Sequence, residues 1–182
     1  MKRLLLLFVL IPVFSQAQLD SLLQVKAFGS VKEEVLTYCD IAYYAHVQDI
    51  PTAIEYGEKA IELANTSGTD SLLAVAFRDA SFARMTNGEY EVYLEYSNHS
   101  RKLWKQLNMP IPEAKALTNM ALAHQELGEL DVAMDYYAQA IPIFQEAGDA
   151  YTGAILNNNV GNLLGTADRF EESIPYLTKA SE

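Results

Sequence analysis

Beyond residue 30 the apolar positions of this chain recur three and four residues apart, the spacing of one face of an α-helix. Leu117, Met120, Ala121 and His124 share one such face, and Ala133, Tyr137, Ala140, Ile141 and Phe144 share another. The breaks fall at turn-forming residues. Asp49-Ile50-Pro51, Asn87-Gly88, Gly128 and Thr166-Ala167-Asp168 separate the helices of a pair, and Gly68, Asn108 and Gly148 end successive pairs. Ser30 and Glu33 read as a capping box, the Ser30 hydroxyl accepting from an orphan amide while Glu33 reaches back. These signals predict helices over 31–46, 52–65, 70–86, 89–107, 113–127, 129–147, 150–164 and 169–180, with Pro110 and Pro112 as the boundary before the fifth. No stretch alternates apolar and polar residues over the length of a strand, so the predicted fold class is all-α. Pro142 and Pro175 fall inside helices and read as tolerated on outward faces.

The helices come in copies. Tyr56, Tyr96, Tyr136 and Tyr176 stand 40 residues apart, as do Ile50, Tyr90, Leu130 and Phe170, and Ala60, Ser100, Ala140 and Ala180. The pattern gives a short helical lead-in over 18–30 and an array over 31–182. Its repeats run at about 34–73, 74–113, 114–153 and 154–182, the last incomplete. No single pair can bury both of its apolar faces; stacking on a neighbour does that. Small side chains at Ala121, Ala133 and Ala140 permit close helix approach, and Leu130, Tyr137 and Phe144 fill the space between layers.

The first residues have a different pattern. Lys2 and Arg3 precede an uncharged apolar run over 4–14, then Ser15-Gln16-Ala17. This is the layout of a signal peptide over 1–17, cleaved after Ala17 to leave Gln18 as the new N-terminus. As a helix the apolar run would span only about 16 Å, roughly half a bilayer core. The expectation is an exported chain, periplasmic or secreted, with no membrane span after cleavage. The whole sequence of 182 residues is 50% apolar and 20% charged, a globular rather than a disordered composition. It carries 13 Lys and Arg against 24 Asp and Glu, a net charge of −11. Loss of Lys2 and Arg3 leaves 11 basic against 24 acidic residues, or −13, which excludes nucleic-acid or anionic-lipid binding through bulk charge. A single cysteine, Cys39, excludes an intrachain disulfide and a cysteine metal cluster.

Asn119-Met120-Ala121-Leu122-Ala123-His124, followed by Leu127-Gly128-Glu129-Leu130-Asp131-Val132-Ala133 and Tyr136-Tyr137-Ala138-Gln139-Ala140, resembles the tetratricopeptide repeat family. Asn159-Val160-Gly161 with Arg169-Phe170-Glu171-Glu172-Ser173-Ile174-Pro175-Tyr176 is similar, as is Ala53-Ile54-Glu55-Tyr56 with Lys59-Ala60-Ile61-Glu62-Leu63. The resemblance covers about 34–182 and implies a right-handed α-α superhelix of about four helix-turn-helix repeats. Here the period is 40 rather than the family's 34, and the aromatic opening position holds Thr37, Phe77, Leu117 and Asn157. The longer period resembles exported sensory regions of bacterial signalling proteins.

Catalytic and metal patterns are lacking. His46, His99 and His124 lie on different predicted helices without a ligand-spaced partner, and no glycine-rich segment is followed by the lysine of a phosphate loop. His124 reads as a hydrogen-bonded core imidazole and Cys39 as a small buried hydrophobe. The expectation is a protein that is not an enzyme and takes no cofactor or metal. The family register implies instead a concave groove whose positions here are Tyr38 and Ala42, Arg78 and Phe82, Thr118 and Leu122, and Asn158 and Asn162, flanked by Lys115. Asn158 and Asn162 stand one turn apart and can donate to and accept from a peptide backbone. Chaperone-binding members clamp a terminal carboxylate with basic and Asn side chains. Tyr38 and Ala42 replace the first of these, so that activity does not carry over. The tyrosine column at 56, 96 and 136 reads as packing between units.

The last predicted helix is shorter than its counterparts, leaving Tyr176 and Leu177 to face a missing neighbour. The expectation is a truncated array. Two functions fit: a scaffold binding a protein or peptide on its concave face, as the sensory part of a longer signalling protein, or a structural spacer that self-associates through its C-terminal face.

Overall fold

Six residues with left-handed backbone set the rhythm of the fold. Gly68, Gly88, Asn108, Gly128, Gly148 and Asp168 have φ between 54° and 77° and stand 20 residues apart. Five of them close a helix in the same way, while after Gly68 the Thr69 amide donates to Ser67 Oγ at 3.2 Å instead. After Glu126, for example, the Gly128 amide donates to the Gln125 carbonyl at 3.0 Å and the Glu129 amide to that of His124 at 2.8 Å. Asn and Asp are the side chains that best tolerate this conformation, which explains their use where Gly is replaced.

The computed structural model describes residues 16–181; apart from Gln16 and Ala17, the leader read on 1–17 lies outside the described residues. Nine helices and no strand occur among the described residues: α1 (16–23), α2 (Val31–Ala45), α3 (Ile50–Ser67), α4 (Asp70–Thr86), α5 (Tyr90–Gln106), α6 (Pro110–Glu126), α7 (Leu130–Glu146), α8 (Ala150–Thr166) and α9 (Phe170–Ala180). The capping box at α2 forms with a change of partner. The Glu33 amide donates to Ser30 Oγ at 3.2 Å, but Glu33 Oε2 accepts from the amide of Gly29 at 2.8 Å. Pro110 and Pro112 lie inside the first turn of α6 rather than before it. The first amides of a helix have no intrahelical partner, so proline costs nothing there. None of the described helices is long and apolar enough to cross a membrane.

The described residues divide into two packing units, one up to Ser100 and one from Arg101 on, with the boundary inside α5. In the first, α2, α3 and α4 pack on one another. Val35, Cys39, Ala60, Ala64, Leu72 and Ala76 form one buried cluster. A second joins Leu19 of α1 to Ile41, Ala45, Ala53 and Ala83, so residues just past Ala17 belong to this core. Burial raises the Cys39 thiol well above its ordinary range, consistent with a packing role. Arg84 ties the helices together. It meets Glu58 of α3 at 2.5 Å and Glu89 at 2.6 Å, while the Tyr96 hydroxyl donates to the same Glu58 oxygen at 2.7 Å. Burial and the Glu58 carboxylate push Tyr96 up to about 12.

In the second unit α6 packs on α7, α7 on α8, and α8 on α9. Leu117, Tyr137, Phe144, Leu156, Val160 and Leu164 are the large buried side chains, each 2% exposed or less. Complete burial of one such side chain contributes about 1.5–3 kcal/mol. His124 is hydrogen-bonded, its Nδ1 lying 2.6 Å from Glu129 Oε2, and it stacks on Tyr136 at 5.4 Å. Pro142 and Pro175 sit on exposed faces of unbroken helices. Tyr176 differs from expectation. It packs against the unit's core, and the most exposed apolar side chains of α9 are Phe170 and Ile174, each 61% exposed.

Gly57 marks the tightest helix approach in the first unit. A Cβ there would stand 2.8 Å from Ala80 Cβ and 3.0 Å from Ala80 Cα, on a backbone that cannot move aside cheaply. Gly57→Ala should therefore destabilise the chain by about 1–3 kcal/mol despite alanine's better helix propensity. Urea denaturation checks this, and an unchanged or higher midpoint would contradict the close approach.

Candidate functional site

The first helix of each pair presents one stripe away from its partner. α4, α6 and α8 share one register, because each is followed by a three-residue connection: 87–89, 127–129 and 167–169. The α2–α3 connection has four residues, 46–49, which moves α2 one residue out of the 40-residue register. Two aromatic pairs show the shift. Tyr38 meets Tyr56 with centroids 5.4 Å apart, as Phe77 meets Tyr96 at 5.4 Å; the first-helix members differ by 39 in number, the second-helix members by 40.

Tyr38 thus lies off the stripe that Phe82 belongs to, and lines instead a hollow of about 390 Å³ with Leu22, Phe28, Ile41 and Tyr56. It packs between Tyr56 and Phe28, its hydroxyl donating to Glu34 Oε1 at 2.8 Å, and that bond together with burial raises it to about 12. Ala42 is fully buried. The residue that lines up with Phe82 is Tyr43, 48% exposed, with its ring 5.9 Å from Phe82. His46 completes the group, 5.8 Å from Phe82 and 5.4 Å from Tyr43, and its Nδ1–H donates to the Tyr43 carbonyl. Sequence reasoning missed Tyr43 and His46. The extra residue before Pro51 is the signal that could have found them.

Arg78 lies one turn before Phe82 but is already engaged. Its Nε donates to Asp79 Oδ1 at 2.7 Å and its second terminal nitrogen to Oδ2 at 2.9 Å. Asp79 is only 5% exposed, and burial raises its carboxyl against the opposing pull of Arg78. Asp40, on α2, lies near the same guanidinium and is exposed; partial burial raises its carboxyl too.

In the second unit the structure brings Leu122 and Asn162 together. With Gln125, Asn159, Leu163 and Thr166 they line a cleft of about 270 Å³ between α6 and α8. Leu122 and Leu163 supply an apolar floor, and three amides and a hydroxyl supply donors and acceptors in excess of what a neutral apolar ligand would use. Gln125, Asn159, Leu163 and Thr166 are the cleft residues the sequence reading passed over. Asn159 stands beside the buried Tyr137, whose hydroxyl makes no hydrogen bond of ordinary geometry among the described residues and is raised to about 12 by burial, Asn159 acting against the rise. Asn158 does not line the cleft; it extends an exposed stripe of α8 with Tyr151, Ile155 and Asn162. Thr118 is half-buried and donates to the Ala114 carbonyl of its own helix at 3.0 Å. Lys115 is exposed near Asp149, whose carboxyl it helps to lower.

The tetratricopeptide repeat family model matches residues 112–182. A search of curated protein sequences finds no relative. Among solved structures, BtubC from P. vanneervenii is similar over 92% of this chain and 69% of its own, at 15% identity and a TM-score of 0.75. The kinesin light chain TPR-like repeats of Podosopora anserina are similar over 84% and 75%, at 11% identity and 0.72. A Rap protein complexed with competence and sporulation factor is similar over 85% of this chain, which spans 46% of that protein, at 15% identity and 0.69. Residues 112–182 are therefore tetratricopeptide-repeat sequence, and the described residues have the fold of tetratricopeptide-like repeat proteins.

The Arg78–Asp79 pair gives a pH-dependent prediction. Arg78→Gln leaves a buried carboxylate without its cation and should cost about 1–3 kcal/mol near neutrality, less than for a wholly buried pair because the Arg78 side chain is 43% exposed. A carboxyl whose folded pKa is raised binds its proton more readily in the folded state, so the variant regains stability as pH falls through that pKa. Thermal melts of both chains from neutral to mildly acidic pH should show the gap narrowing. A gap that widens toward acid would contradict the assignment.

Proposed function

We propose that the chain is a protein-interaction scaffold, without catalytic activity, that holds an extended polypeptide on the α6–α8 face. The observation that carries this is the cleft of about 270 Å³ in which Gln125, Asn159, Asn162 and Thr166 surround Leu122 and Leu163. Side-chain amides both donate and accept, which matches the alternating carbonyls and amides of an extended backbone, and the two leucines accept an apolar side chain between them. Two similar structures support the reading, since a Rap protein is complexed with competence and sporulation factor and the Rap regulator of plasmid pLS20 with the Phr* peptide. The leader reading adds export, with the scaffold working outside the cytoplasm as the sensory part of a signalling protein. The mass of the chain recovered from such a compartment, starting at Gln18, checks that part.

Self-association is the second reading, favoured by Phe170 and Ile174 on α9. A chain that sediments as a monomer at high concentration contradicts it.

The binding reading is tested by selecting peptides from a random display library on the purified chain. Selected peptides should bind Asn162→Ala about tenfold more weakly, the loss of one or two backbone hydrogen bonds, and Leu122→Ala more weakly still. Lys102→Ala, on α5, should bind as the parent does. Equal affinity for parent and Asn162→Ala would overturn the site.

A further inference from the structure

The outward face of α2 and α4 in the first unit has a chemistry of its own. Asp40 and Tyr43 stand one turn apart on α2, with His46 a turn beyond; Arg78 and Phe82 stand one turn apart on α4. Across the two helices Asp40 is near enough to Arg78 for the guanidinium to oppose the rise of its carboxyl, and Tyr43 and His46 meet Phe82 ring to ring. The one guanidinium on this face is held bidentately by the buried Asp79, and the next cation along α4, Arg84, is held by Glu58 and Glu89. Asp40 and Asp79 thus outnumber Arg78, and the exposed Asp40 stands one turn from Tyr43, the first of three exposed or half-exposed rings that meet one another.

We infer that this face is a binding site for an arginine side chain of a polypeptide partner. A guanidinium is attracted by the π-face of an aromatic ring, and its planar form stacks there while its nitrogens donate to a carboxylate one turn away. Asp40 supplies that carboxylate, and Tyr43 and Phe82 supply the rings. Lysine fits less well, because its ammonium is a compact, strongly hydrated charge that cannot stack. An acidic segment is repelled by the surplus carboxylate, and a purely apolar one leaves Asp40 without use. The site lies wholly within the first unit and stands independently of the α6–α8 reading.

The test is a titration of the full chain, with its aromatic rings ¹³C-labelled, against acetyl-Gly-Arg-Gly-Arg-Gly-amide and its Lys, Glu and Phe counterparts. The arginine peptide should shift the Tyr43 and Phe82 ring signals saturably and more tightly than the lysine peptide, and the glutamate peptide should leave them in place. Asp40→Asn and Tyr43→Ala, checked for unchanged helical circular dichroism, should each weaken the arginine peptide about threefold to fivefold. Tyr43→Phe, which keeps the ring, should bind as the parent does. The inference is overturned if the arginine peptide gives no saturable shift, if Asp40→Asn leaves its affinity unchanged, or if the glutamate or phenylalanine peptide binds these rings as tightly.

Discussion

From α3 onward the described residues depend on reversing direction within three residues after each helix. A seventeen-residue helix ends with four carbonyls that lack intrahelical partners, and a left-handed residue lets the following amides turn back to satisfy them. Because Gly68, Gly88, Asn108, Gly128, Gly148 and Asp168 stand at equal intervals, successive helices have nearly equal lengths, and within each unit neighbours pack on one another. Ala53, Ala60, Ala121, Ala133 and Ala140 can then be wholly buried at helix contacts. The turn spacing thus decides which side chains are core and which are presented.

That dependence explains what the sequence revealed. The helices, their pairing and the packing roles of Tyr137, Phe144, Cys39 and His124 follow from periodicity and turn chemistry, which are local and repeat many times. The leucine and amide of the second unit's cleft, Leu122 and Asn162, follow from the same register. Tyr38 was misplaced because a fixed 40-residue offset was carried across a connection one residue longer than its counterparts, and a one-residue slip turns a helix position by about 100°. Asn159 escaped notice because it faces both the core tyrosine and the cleft. Arg78 was legible as a surface cation, but its engagement by Asp79 is a matter of side-chain conformation between neighbours in sequence.

One polar position shows how the repeats diverge under a common constraint. Arg84 bonds Glu89 across the turn in the first unit, and in the second His124 bonds Glu129 at the corresponding place. One repeat further on the first partner is Leu164, fully buried in effect, and Arg169 occupies the acidic position, pairing with Asp131 and Glu172 instead. The pairing across the turn is thus exchangeable for apolar burial, as expected where a charge pair fixes geometry more than it adds stability. The presented faces diverge more: rings and a carboxylate on α2 and α4, amides and leucines on α6 and α8. Packing restrains the contact faces, while nothing in the fold restrains the outward ones, so binding chemistry can vary there.

The central claim is that the outward faces of the first helices of each pair, and not those of the second, receive the partner. Amide hydrogen exchange of the full chain, with and without a saturating display-selected peptide, tests this most directly. The account predicts added protection in α6 and α8, with α7 and α9 unchanged. Protection centred on α7 or α9 would contradict it.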